Sequence, residues 1–143
     1  MSRTALATWQ ALALVGALLA GPPPVTAAET SKTPTAVYLG YRAAMASAAT
    51  LDDLRPWLSK DGLAKLDSMP RDQRSMMLGM IKDVSSAITN VRVVKETVTG
   101  DRAELQVEGT DRGTRGKARA VVEIVREGGA WKFVKERWGA TGY

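Results

Sequence analysis

At Asn90 this chain changes its hydrophobic rhythm. Upstream, large apolar residues recur about every 3.6 positions, the spacing of one helix face; downstream they alternate with a period of about 2, the spacing of a strand. A chain that writes its helices first and its strands second lays those helices on one face of an antiparallel meander. The expected fold class is α+β, with N-terminal helices packed on one face of a curved antiparallel sheet of about four strands.

The helical half divides at its capping residues. Thr33 is an N-cap candidate, and Pro34 suits the first turn, where a missing N–H does no harm. Val37, Tyr41, Ala44, Met45 and Ala48 follow as one stripe. Thr50 offers a second cap before LDDLRPWL, with Asp52 and Asp53 at the positive helix end and Pro56 keeping the element short or irregular. Its apolar side is Leu51, Leu54, Trp57 and Leu58. Ser59 caps a brief helix with Leu63, Leu66 and Met69 inward. Pro70 opens a longer one, whose amphipathic stripe reads as Met76, Met77, Met80, Ile81, Val84 and Ile88.

The strand half contains VRVVKETV (91–98), RAELQVEG (102–109), KARAVVEIVRE (117–127) and AWKFVKERW (130–138). The TGD turn at 99–101 and the Gly128-Gly129 pair are hairpin signals that favour sequential pairing, while DRGTRGK (111–117) reads as a loose loop. Only the second strand alternates cleanly, with Ala103, Leu105 and Val107 opposite Glu104, Gln106 and Glu108. The first sets Val91 and Val93 against Val94 and Val98, the third Val122 and Ile124 against Val121 and Val125, the last Trp131 and Phe133 against Val134 and Trp138. Helices covering one face do not require this. Either a homodimer forms through the second sheet face, or the strands bulge so that the two sides of one strand serve different neighbours. Each Val or Trp so buried adds about 1.5–3 kcal/mol.

Composition narrows the chemistry. The 143 residues contain no Cys, which removes disulfides, thiolate nucleophiles and thiolate metal sites. They contain no His either, and so lack the usual proton shuttle and commonest metal ligand. No phosphate-cradling glycine loop, nucleophile elbow or metal-ligand cluster is found, and no metal or cofactor is expected. The net charge of +5 points to an anionic surface.

Residues 1–28 have the three parts of a secretory signal. Arg3 supplies the positive start, Ala5 to Ala20 form an apolar stretch, and Pro22 to Pro24 end it before the small residues of VTAAE, which suit cleavage after Ala27 or Ala28. The stretch is shorter than the roughly 20 residues of a spanning helix. The expected organisation is a cleaved signal over 1–28, a flexible lead-in over 29–33, a single domain over 34–138 and a tail over 139–143. That makes the product periplasmic or secreted. In that compartment nucleic acid is not an expected partner, and an anionic lipid or cell-wall polymer is.

The run VRVVKETVTGDRAELQVEGT, followed by ARAVVEIVREGGAWKFVKERW, resembles the C-terminal half of small exported bacterial domains in the nuclear transport factor 2-like superfamily, among them DUF4878-type and lumazine-binding-like proteins. The resemblance covers residues 34–138 and is strongest from 91 onward. It implies a cone-shaped α+β domain with helices wrapped against a curved sheet and a pocket between them. The superfamily holds ketosteroid-isomerase-like and dehydratase-like enzymes beside members that only bind or dimerise, so fold alone does not choose among them.

An isomerase-like site needs a general base and a hydrogen-bond donor converging in the cone. Tyr38 and Tyr41 are candidate donors, and Glu96, Glu123 and Glu136 are candidate bases if turned inward. The alternative makes those glutamates solvated partners of Lys95, Arg126, Lys135 and Arg137, with Tyr41 in the core. Dehydratase relatives commonly use the histidine that this chain lacks. An apolar small-molecule pocket would draw on Tyr38, Tyr41, Trp57, Met77, Met80 and Trp131, although core packing explains the methionines equally well. The loop cations Arg112, Arg115, Lys117 and Arg119 either grip phosphate or carboxylate or simply keep the loop soluble. The leading expectation is an exported, non-catalytic binding or protein-interaction domain with no assigned catalytic residue. Beside it stand a small cofactor-free isomerase or lyase and a basic surface-adhering protein.

Overall fold

The computed structural model describes residues 32–139; the expected signal segment, residues 29–31 of the lead-in and residues 140–143 of the tail lie outside the described residues. Four helical elements precede four strands: α1 (Pro34–Ser47), a 3-10 helix (Leu51–Trp57), α2 (Lys60–Ser68), α3 (Arg71–Ala87), β1 (Ile88–Thr99), β2 (Arg102–Asp111), β3 (Lys117–Glu127) and β4 (Ala130–Gly139). The strands form one open antiparallel sheet in the order β1-β2-β3-β4. None of the described helices is long and apolar enough to cross a membrane.

Local chemistry starts and stops each helix. Thr33 Oγ1 accepts the Ala36 N–H at 3.1 Å, and Ser59 Oγ accepts that of Gly62 at 3.2 Å, so these two of the three predicted caps form through their side chains. Asp53 Oδ2 accepts from the Ala49 and Thr50 amides at 2.8 and 2.9 Å. Pro56 lies inside the next element, which is a 3-10 helix. Trp57 at its end lies across α1: a methyl group added at Gly40 would stand 2.4 Å from the indole ring, so glycine is what admits that contact.

Helix α3 passes directly into β1. Ile88, read from sequence as the last member of the helical stripe, opens the strand instead, because Gly109 on β2 leaves room for it. A Cβ at Gly109 would meet the Ile88 side chain at 2.5 Å and the Thr89 carbonyl at 3.0 Å. Asn90 follows with a φ of 51°, a left-handed conformation that Asn tolerates better than most residues. The pairing of β1 with β2 shifts between Thr89 and Arg92, and again between Val93 and Lys95. Gly128 and Gly129 turn with φ of 57° and 79°, as the tight hairpin demands.

The core lies between the helices and one sheet face. Tyr38, Met45, Leu54, Leu105, Val107, Val122 and Ile124 are its fully buried large side chains, and Tyr41 stacks on Phe133 with ring centroids 4.0 Å apart. Three sequence expectations about these faces and their connections need correction. The stripe of α3 that faces this core is Arg74, Leu78, Ile81 and Ser85, while Met76, Met77, Met80 and Val84 are exposed. Trp138 does not lie opposite Trp131 and Phe133. A bulge at Val134 puts one extra residue into β4 between the Phe133 and Lys135 pairings, so Trp138 returns to the helix-facing side beside Ala120. The DRGTRGK segment is also no loose loop: Asp111 Oδ1 accepts from Gly113 and Thr114, each at 2.8 Å, and the Asp111 amide donates to Gly116 O at 2.9 Å.

Candidate functional site

Two polar arrangements stand out, one inside and one on the open sheet face. The inner one joins α1 to β4. Tyr38 and Arg42 are one helical turn apart, and the β4 bulge turns Glu136 toward them. The Tyr38 O–H donates to Glu136 Oε2 at 2.8 Å, and the Arg42 guanidinium reaches the same oxygen at 3.5 Å. Arg42 also donates to Tyr38 Oη at 3.4 Å and to Ser85 O on α3 at 3.1 Å. The two charged side chains are 11% and 16% exposed. Burial, then the neighbouring Glu136 charge, pushes the Tyr38 phenol well above the ordinary tyrosine range, with Arg42 pulling the other way. The same causes push Tyr41 up to about 12. The Arg42 guanidinium lies 5.6 Å from the Trp138 ring centroid, and Trp138 Nε1 is buried without a hydrogen-bond partner.

Of the three glutamates considered as bases, Glu96 and Glu136 lie on the helix-facing side of the sheet, Glu96 opposite Leu105, but only Glu136 is shielded from solvent. Glu96 accepts from the Thr35 amide at 3.0 Å and its hydroxyl at 2.6 Å, at the N-terminus of α1. Glu123 points the other way and pairs with Lys135 at 3.2 Å and Arg137 at 3.6 Å. The six apolar-pocket candidates do not share one environment. Tyr38, Tyr41 and Trp131 belong to the core, Trp57 is half-buried against α1, and Met77 and Met80 are exposed on α3. Trp131 carries the Arg126 guanidinium 4.4 Å from its ring centroid.

The second arrangement follows from strand register. Outward positions line up in rows across the sheet: Arg92, Glu108 and Arg119 in one, Lys95, Gln106, Val121 and Arg137 in the next, and Thr97, Glu104, Glu123 and Lys135 in a third. Lys117, opposite Thr110, precedes them. Arg92, Arg119 and Lys117 all approach Glu108, at 2.9, 3.5 and 3.6 Å. These ion pairs hold the Glu108 carboxyl below the usual carboxylate range, the hydrogen bond from Arg92 contributing most. Arg92, Arg115, Lys117 and Glu108 border a hollow of about 280 Å³. Arg115 is held there with a φ of 57°, a left-handed conformation costing a non-glycine residue roughly 1–2 kcal/mol. The four loop cations named from sequence are thereby separated. Arg115, Lys117 and Arg119 belong to this face, whereas Arg112 turns to the end of α3, its guanidinium donating to Ser86 O at 3.4 Å and its backbone amide to Ala87 O at 2.8 Å.

Sequence reasoning missed Arg42, Arg92, Lys95 and Arg137 as members of these arrangements. Arg42 had a signal: it is the only charged residue in α1 and sits on a helix that is otherwise apolar or small. Among the described residues, no cluster of acidic side chains has the arrangement of a metal site. Comparison with family models, with curated proteins and with solved structures returns no match.

Proposed function

We propose that this chain is an exported, non-catalytic binding domain that meets its partner through its outer surface. The observation that carries the reading is the Tyr38–Glu136–Arg42 contact. An isomerase-like base must face a substrate proton, and its donor must face the developing oxyanion. Here the donor is spent on the carboxylate, the carboxylate is spent on an arginine, and the three together tie α1 to β4. Val122, opposite Glu136 on β3, and Met45, Leu105 and Val107 are fully buried in the same core. Helices packed against one sheet face are consistent with the cone of nuclear transport factor 2-like domains, and Arg3 with the apolar run from Ala5 to Ala20 supports export.

The reading is tested by two-dimensional NMR of residues 29–143 titrated with a panel of small apolar ketones. The Trp138 indole N–H resonance is expected to stay in place. A saturable shift of that resonance that Y38F abolishes, with the fold intact, overturns the non-catalytic reading in favour of an occupied inner site.

A further inference from the structure

The binding reading leaves open which surface works and on what, and the sheet register answers both. The two rows nearest the β2–β3 turn, together with Lys117, hold five cations (Arg92, Lys95, Lys117, Arg119 and Arg137) and one carboxylate, Glu108, with Arg137 also reaching Glu123 of the next row at 3.6 Å. The next row toward the other end carries Glu104 and Glu123 against Lys135, and the row after it carries Arg102 and Lys132, whose ammonium donates to Pro56 O at 2.7 Å, so the largest group of neighbouring cations lies in the half nearest the β2–β3 turn. Hydrogen-bonded strands are about 4.8 Å apart and outward residues about 7 Å apart along each strand, which spreads the cations over on the order of 15 Å.

We infer that this half-face binds a linear anionic polymer bearing phosphate or carboxylate groups, an inference that rests on the non-catalytic binding reading above. One small anion would satisfy only two or three of the cations. Successive groups of a polymer reach all of them, with Arg115, held in its unfavourable backbone conformation, beside the hollow next to Glu108. Arginine predominates, as suits two-point contact with oxyanions. A lipid surface fits less well, because interfacial binding draws on an apolar face that enters the acyl boundary, and Val121 here lies half-buried between charged rows.

The experiment measures binding of residues 29–143 to sodium polyphosphate and to polygalacturonate across a salt series, beside vesicles of phosphatidylglycerol. At least one polymer is expected to bind with salt-dependent affinity. R119Q/R137Q should weaken binding by about tenfold or more and lower the salt slope by about 0.7 per cation removed. K60Q/K65Q, on α2, should leave both unchanged. Circular dichroism verifies that each variant folds. Four results overturn the inference: no polymer binding at low salt, binding indifferent to R119Q/R137Q, binding to vesicles alone, or self-association that buries the face and excludes polymer. Any of these with the Trp138 signal still unmoved by ketones leaves the non-catalytic reading standing and moves the working surface elsewhere.

Discussion

Tyr41 shows what burial does to a single titrating group. Its phenol is pushed up to about 12, first by burial and then by the Glu136 charge. A raised folded value means the native state holds its proton more tightly than the unfolded chain, whose tyrosines titrate near 10. The stabilisation is whole below pH 10 and is lost as pH rises from about 10 through 12. Alkaline titration followed by tyrosinate absorbance and circular dichroism should show ionisation and unfolding together in that window. Y41F should shift the onset of unfolding upward; an unchanged onset would mean Tyr41 is not the group whose ionisation breaks the core. The acid side has the opposite sign. Asp53 is held low by hydrogen bonds from the Thr50 and Ala49 amides, Asp111 by those from Thr114 and Gly113, and Glu108 by its cations. Their contribution is present above the ordinary carboxylate range and is lost as pH falls through and below it.

Strand β4 shows what one extra residue does to an element. Its sequence places Trp131 and Phe133 on one side and Trp138 on the other if strict alternation holds. The Val134 bulge absorbs the parity change and delivers both Glu136 and Trp138 to the inner side. Deleting Val134 restores plain alternation without moving either residue to the wrong face, so the shortened domain should still melt cooperatively. Deleting Lys132, in the regular stretch, makes Trp131 and Phe133 neighbours, so that they fall on opposite faces and one of them leaves the core, and should abolish the cooperative transition. Thermal melts of the two deletions test this, and equal behaviour would contradict the assignment of the bulge. The same device operates twice in β1, where Val98 pairs with inner-facing Ala103 although alternation from Val91 puts it outside.

At the scale of the whole molecule, the helices lie against one sheet face and not every apolar stripe finds a neighbour. In α3, Leu78 and Ile81 face the core, while Met76 and Met80 are 69% and 58% exposed. M76K/M80K should therefore change stability by no more than about 0.5 kcal/mol, whereas L78A should cost about 2–5 kcal/mol by opening a cavity. Chemical denaturation of the two variants separates these cases, and a large loss in the methionine variant would return that stripe to the core. The methionines were misread because helical periodicity marks which residues share a face, not which face is covered. Arg74 and Ser85 occupy the covered side, where Arg74 donates to Met69 O at 3.0 Å and Ser85 O accepts from Arg42.

The order of elements, the caps at Thr33 and Ser59, the glycine hairpin and the α+β class were all written in short-range patterns, because propensity, capping and turn geometry act over a few residues. The inner Tyr38–Glu136–Arg42 contact and the cation rows were not. They join residues up to 98 positions apart, and their membership depends on strand register and on where bulges reverse parity. Register is settled by which side chains the helices bury together, so only the tertiary structure decided which of this chain's many charges stand side by side.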